Sequence, residues 1–163
     1  MKYKYFLFVS VLLFVIGCGD SPRPKDLPPL FLCTITVTQD GKPLSDAVVK
    51  LVTQENNTAK YTPVAMTGSD GKVIVSTYGF SGAPAGKYKV VVSKNIEDDI
   101  VYKTNADGEQ EIVTYKTYRT VEKIFSNTET TPLEIEITPK NKNTEKTFDV
   151  GKPAKEFLSN QSG

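Results

Sequence analysis

The sequence predicts an all-β protein built as an antiparallel β-sandwich, and three features of it do so. Short apolar stretches alternate residue by residue with polar ones. Gly, Asp and Pro interrupt them at intervals of about ten residues, and no long stretch carries the 3.6-residue period of an amphipathic helix.

Along the chain, FLCTITVT places Phe31, Cys33, Ile35 and Val37 on one face and Thr34, Thr36 and Thr38 on the other, a strand with one wet face. QDGKPL then supplies a turn, with Asp40-Gly41 suited to positive φ and Pro43 ending the pairing. The second strand is Ala47 to Thr53. After a polar loop around Glu55-Asn56-Asn57, the runs from Pro63 to Thr67 and from Lys72 to Tyr78 read as a hairpin about Gly68-Ser69-Asp70-Gly71. GFSGAPAG leads into GKYKVVVS, where Tyr88, Val90 and Val92 oppose Lys87, Lys89 and Ser93. Tyr88 reads as a core residue in preference to a ligand surface.

Residues 94–131 read as a long, partly ordered excursion. Within it EIVTYKTY is a candidate strand, TVEKIF a candidate helical turn, and Asp98-Asp99 part of a solvated loop. Leu133, Ile135 and Ile137 alternate with Glu134 and Glu136. After the turn PKNKNTE, Phe148 and Val150 of KTFDV close the pattern, and the tail 153–163 reads as frayed or briefly helical.

Composition removes several kinds of chemistry. With His 0, no Ser–His or Cys–His nucleophile, histidine base or His-liganded zinc exists. Lys+Arg 20 against Asp+Glu 19 gives no general attraction for nucleic acid. The Asp-Gly turns at 40–41, 70–71 and 107–108 lack the run of acidic ligands a calcium loop needs. No cofactor, metal site or enzymatic activity is expected.

The N-terminus has a different character. Lys2 and Lys4 precede an apolar run from Phe6 to Ile16, about half the length a membrane-spanning helix requires. A positive end, an apolar centre and a small residue, Gly17, make an export signal. Val15-Ile16-Gly17-Cys18 resembles the lipobox of bacterial lipoproteins, which implies cleavage before Cys18 and acylation of its thiol and new amino group. Pro22, Pro24, Pro28 and Pro29 then suit an extended tether or an unstructured leader. With Cys18 acylated, Cys33 has no intramolecular partner and is read as an inert core thiol.

DGKPLSDAVVKL, TGSDGKVIV and PAGKYKVVVS, followed by TTPLEIEIT and FDVG, resemble the transthyretin-like, carboxypeptidase regulatory-like sandwiches of small bacterial lipoproteins, of the kind found in planctomycetes. The resemblance covers about Leu30 to Lys94 and Thr131 to Gly151. It implies a lipid-anchored, non-enzymatic structural or protein-interaction module. Related sandwiches that bind glycans give the alternative, with loops 54–60, 79–86 or 94–131 as the site; Trp 0 weighs against it. A hydrolase ranks last, since the hydrolases of this fold use histidines. Pilin-type sandwiches close a Lys–Asn isopeptide bond between first and last strands, but Leu30 to Thr38 has no lysine and Lys146 to Val150 no asparagine.

The expected organisation is signal peptide 1–17, tether 18–29, sandwich 30–152 with its excursion at 94–131, and tail 153–163. The excursion is expected to be removable without unfolding the domain. The expected partners are a membrane, through the lipid on Cys18, and an envelope protein or glycan, with the chain itself a monomer. Asp20 is two places after Cys18, not directly after it, so the inner-membrane retention signal of enterobacterial lipoproteins is absent and an outer-membrane location, periplasmic or surface-facing, is expected.

Overall fold

The computed structural model of the chain describes residues 23–54 and 61–162. Cys18 and its lipobox lie outside them, as does most of the 54–60 loop. Two sheets face each other across one core. In the first, β1 (Leu30–Gln39) has β13 (Asn143–Asp149) along one side, while β2 (Lys42–Pro43), β5 (Lys72–Ile74) and β8 (Ala83–Pro84) share the other. The second sheet runs β12 (Glu134–Ile137), β9 (Gly86–Ser93), β3 (Val48–Thr53), β4 (Val64–Met66), β6 (Ser76–Thr77), β7 (Phe80–Ser81). A third sheet, β10 (Asn95–Thr104), β11 (Gln110–Arg119) and β14 (Glu156–Ser162), adjoins them, and Lys123–Ser126 forms a 3-10 turn.

The alternation in the sequence is what builds the core. Successive side chains of a strand point to opposite faces, so Cys33, Ile35 and Val37 of β1 are fully buried while Thr34, Thr36 and Thr38 remain partly accessible. They meet Val49, Leu51, Tyr88, Val90, Val92, Ile135 and Ile137 of the facing sheet. Each such side chain contributes about 1.5–3 kcal/mol by leaving water. Tyr88 is a core residue, as the sequence predicts, and its hydroxyl donates to Pro84 O at 2.8 Å. Burial pushes the Cys33 thiol up to about 11, so it stays protonated and acts as a small apolar filler.

Several expectations need correction. The antiparallel sandwich the sequence predicts is present, with one exception: β1 and β13 run parallel from Leu32↔Asn143 to Thr38↔Asp149. β12 and β13 lie in different sheets, so the link between them crosses the sandwich and imposes no hairpin direction. Asp149 secures the pairing by accepting from Thr38 Oγ1 at 2.7 Å and from the backbone N–H groups of Gly41 and Gly151 at 3.0 and 2.8 Å. Those bonds, Thr38 first, hold its carboxyl below the usual range.

The hairpin expected about Gly68–Gly71 is also reorganised. β5 pairs with β1, and only Val64↔Ser76 joins the two arms, because the chain changes sheets at Val75. There Val75 N–H donates to Cys33 O at 3.1 Å and its carbonyl accepts from Gly82 N–H at 2.7 Å.

The described part of the tether is not extended. Leu27 N–H donates to Pro24 O at 3.1 Å in a turn, and Leu27 is only 7% exposed. Arg23 donates to Pro28 O at 3.0 Å and lies 5.5 Å over the Phe80 ring, while Tyr61 donates to Asp26 Oδ1 at 2.5 Å. Proline removes a backbone donor but keeps its acceptor. The turn can therefore form, and burying Leu27, at roughly 1.5–3 kcal/mol, offsets the extended preference.

β1 thus joins two distinct ends of the sandwich. Leu30 pairs with Pro84 beside the N-terminal lead-in. Gln39, about 30 Å further on at 3.3 Å per residue, donates to Thr120 O at the base of the third sheet.

Candidate interaction surface

The 94–131 segment is ordered. β9 passes into β10 with only Lys94 between them. The base is fixed by hydrogen bonds: Lys94 Nζ donates to Ser45 O at 2.8 Å, Lys94 O accepts from Thr120 N at 2.9 Å, and Thr120 O accepts from Gln39 Nε2 and Ala154 N, both at 2.9 Å. Val121 is fully buried in the sandwich core. Removing the whole excursion would therefore open the core, contrary to the sequence expectation.

Beyond the base, β10 and β11 pair antiparallel from Asn95↔Arg119 to Thr104↔Gln110. The segment read as a frayed or helical tail is instead strand β14, which pairs with β11 only between Thr114 and Arg119. The rest is a two-stranded ribbon. All residues from Asp99 to Thr104 and from Gln110 to Thr114 are exposed, so both faces are in solvent. They include Ile100, Val101, Tyr102, Ile112 and Val113, with Tyr102 opposite Ile112 and 53% exposed. The turn is built by Asn105, whose Oδ1 accepts from Asp107 N and Glu109 N at 3.0 and 2.9 Å, with Gly108 at φ +85°.

A charged cluster stiffens the proximal half. Asp98 and Asp99 lie in strand β10, at a register shift between Asp98 and Val101, and not in the loop the sequence was read to contain. Asp99 has φ +52°, the left-handed conformation a bulge uses and Asp tolerates. Asp99 Oδ2 accepts from Lys116 Nζ at 2.9 Å and from Tyr118 Oη at 2.6 Å; Asp98 Oδ2 accepts from Lys155 Nζ at 2.6 Å. Lys155 also sits 4.5 Å over the Tyr118 ring, which meets Phe157 edge-on at 5.9 Å. Arg119 pairs with Glu156 at 3.1 Å.

The hydrogen bond from Lys155 holds Asp98, and those from Tyr118 and Lys116 hold Asp99, below the usual carboxylate range. Both carboxylates are therefore ionised at neutral pH and each has its own cation. This is not the unequal pair that acid–base catalysis needs.

A carboxylate whose folded value is lowered stabilises the fold above its unfolded value, about pH 4, and loses that contribution as pH falls through the folded value. Acidification from about pH 5 to pH 2 should therefore loosen β14 from β11, and by the same rule weaken the Asp149 bonds between β1 and β13. Amide exchange at Phe157 to Asn160 would report it; protection unchanged over that range would contradict it.

Other candidates are less developed. A groove of about 300 Å³ is lined by Gln54, Lys87, Tyr88, Glu134, Ile135 and Glu136, but Glu134 is already paired with Lys89 at 2.7 Å. A second, of about 200 Å³, lies over Thr34, Thr36, Lys72, Glu145, Lys146 and Thr147. β1 and β13 lie side by side. β13 begins at Asn143, earlier than the sequence indicated, but that side chain faces Thr34 Oγ1 at 3.3 Å, with no lysine on β1. Among the described residues, no group of three or more His, Cys, Asp or Glu is placed to hold a metal.

The cluster partners Lys116, Tyr118, Lys155, Glu156 and Phe157 were not singled out in the sequence. The one available signal was the alternation of Thr, Lys and Tyr in TYKTY.

No family model matches the chain, and no curated protein matches it. Among solved structures, the major pilin subunit of Bacillus cereus is similar at 14% identity over 75% of this chain and 30% of that one, with a TM-score of 0.40. A 9R-lipoxygenase from Cyanothece PCC8801 is similar at 16% identity over 82% of this chain and 18% of that one, with a TM-score of 0.29. The chain spans less than a third of either protein, and neither overlap assigns a function. The resemblance to transthyretin-like lipoproteins rests on the sequence motifs alone.

Proposed function

We propose that the chain is a lipid-anchored, non-enzymatic β-sandwich of the cell envelope, held in the outer membrane through acylated Cys18, that presents the β10–β11 ribbon to a protein partner. The observation that carries this reading is the ribbon itself. Its paired strands expose Ile100, Val101, Tyr102, Ile112 and Val113 on an element that contributes none of them to the core. A free two-stranded hairpin is only marginally stable in water, yet this one is braced by β14 and the Asp–Lys cluster. Exposed strand edges and apolar side chains on such an element suit recognition by strand addition or by an apolar groove. Its base is at the end of β1 opposite the N-terminal lead-in, which favours presentation away from the anchor.

The test is a trimmed chain in which Val101 to Thr114 is excised and closed with Asn-Gly, leaving Val121 and the strand that pairs with β14. It should fold, stay on membranes through Cys18, and no longer retain the protein that co-purifies with the intact lipidated chain. Retention of the same partner would contradict the proposal.

A further inference from the structure

The end of the sandwich nearest the anchor has a surface of its own. Arg23 is fixed there by its bond to Pro28 O and its position over Phe80. Only five residue steps separate it from Cys18, at most about 18 Å fully extended. An acylated Cys18 therefore keeps this end close to the headgroups, while the ribbon end of β1 is about 30 Å further along the strand.

At this end Tyr78 is 69% exposed and meets Tyr61 edge-on at 5.8 Å. Tyr78 and Gly79, with φ +57° and +84°, form the two-residue turn between β6 and β7. Such turns favour Asn-Gly, and a side chain like Tyr is strained in the left-handed region. An aromatic ring is thus held in solvent at a position where Asn would be less strained. Lys25 is exposed on the same lead-in. A tyrosine ring at headgroup depth, with basic side chains toward the phosphates, is the chemistry of a bilayer interface.

We infer that the end carrying Tyr78, Phe80, Arg23 and Lys25 docks on the headgroup layer of the bilayer that holds Cys18, so that the domain stands with its ribbon outward. This rests on the acylation of Cys18 proposed above. The test uses the full lipidated chain in vesicles of phosphatidylethanolamine and phosphatidylglycerol, with an environment-sensitive fluorophore on Tyr78→Cys, Lys25→Cys or, on the ribbon turn, Asp107→Cys. Cys33 is buried and does not compete for label.

Lipids spin-labelled near the headgroup should quench most of the emission at 78 and 25 and leave 107 unaffected. The mass of the mature N-terminus is read on the same sample. Absence of lipid on Cys18 would overturn both the anchor and the docking. Lipid present, with 78 and 25 quenched no more than 107, would overturn the docking alone. Tyr78→Asn, which suits the turn, should weaken quenching at position 25; unchanged quenching there would overturn the role of the ring.

Discussion

Gly71→Ala should destabilise the domain by about 2–3 kcal/mol, a large part of the 5–15 kcal/mol typical of a folded domain. Gly71 has φ +72°, and a Cβ there would lie 2.5 Å from Val37 O, 3.1 Å from Leu44 N and 3.2 Å from Pro43 Cα. All three are backbone, so no side chain can swing aside. The neighbouring bonds, Val37 N–H to Gly71 O at 2.8 Å and Leu44 N–H to Val37 O at 2.9 Å, tie the turn to the middle of β1. The left-handed conformation costs alanine roughly 1–2 kcal/mol, and displacing a backbone hydrogen bond adds about 1. Gly41 is the control. It has φ +74° and nothing within 4 Å of its would-be Cβ, so Gly41→Ala should cost only the conformational part, about 1–2 kcal/mol. Denaturant titration of both variants checks this, and equal losses would mean that the close approach at Gly71 is relieved at no cost.

Thr67→Val should cost about 2–4 kcal/mol although it keeps shape and volume. Thr67 is 3% exposed, and its Oγ1 donates to Leu44 O at 2.6 Å and accepts from Ala47 N–H at 2.9 Å. Its backbone bonds to the same turn, with N–H to Ala47 O at 2.9 Å and O from Asp46 N–H at 3.0 Å. A valine methyl would leave two backbone groups without partners, each at about 1–3 kcal/mol when buried. Thr67→Ser retains the hydroxyl and should lose roughly the 0.8 kcal/mol of one methyl group. Thermal unfolding of the pair would decide, and a valine variant as stable as the serine one would show that water replaces the hydroxyl there.

The strands of the sandwich were legible where one face is buried and the other wet. β1, β9 and β12 alternate because the fold needs Ile35, Tyr88 and Ile135 inside and Thr34, Lys87 and Glu134 outside. β10 was not legible, because a ribbon with both faces in water has no reason to alternate and IVYKT reads as an irregular mixture, whereas EIVTYKTY is the strand the sequence predicts, within β11. β14 was invisible for a related reason: it is held by backbone pairing to β11 and by Lys155 and Phe157 against Tyr118, contacts far apart in sequence. The parallel pairing of β1 with β13 depends on a crossing between sheets, which no local pattern encodes. The proline-rich lead-in was misread because its composition favours extension and only Leu27 carries the opposing apolar burial. The sequence offers the 94–131 loop as one candidate surface, and the proposed ribbon lies within that segment. Its chemistry was not anticipated, because Asp98 and Asp99 acquire their partners only through the bulge.

The central claim, that the ribbon is the recognition surface of an anchored domain, is tested most directly by crosslinking in the native envelope. A photoreactive residue placed at Tyr102, on the ribbon, should give one discrete crosslinked protein species from the lipidated chain, and the same residue at Thr36, on the outer face of β1, should give none. Crosslinking from Thr36 equal to that from Tyr102, or none from Tyr102 while the intact chain still retains its partner, would contradict the account.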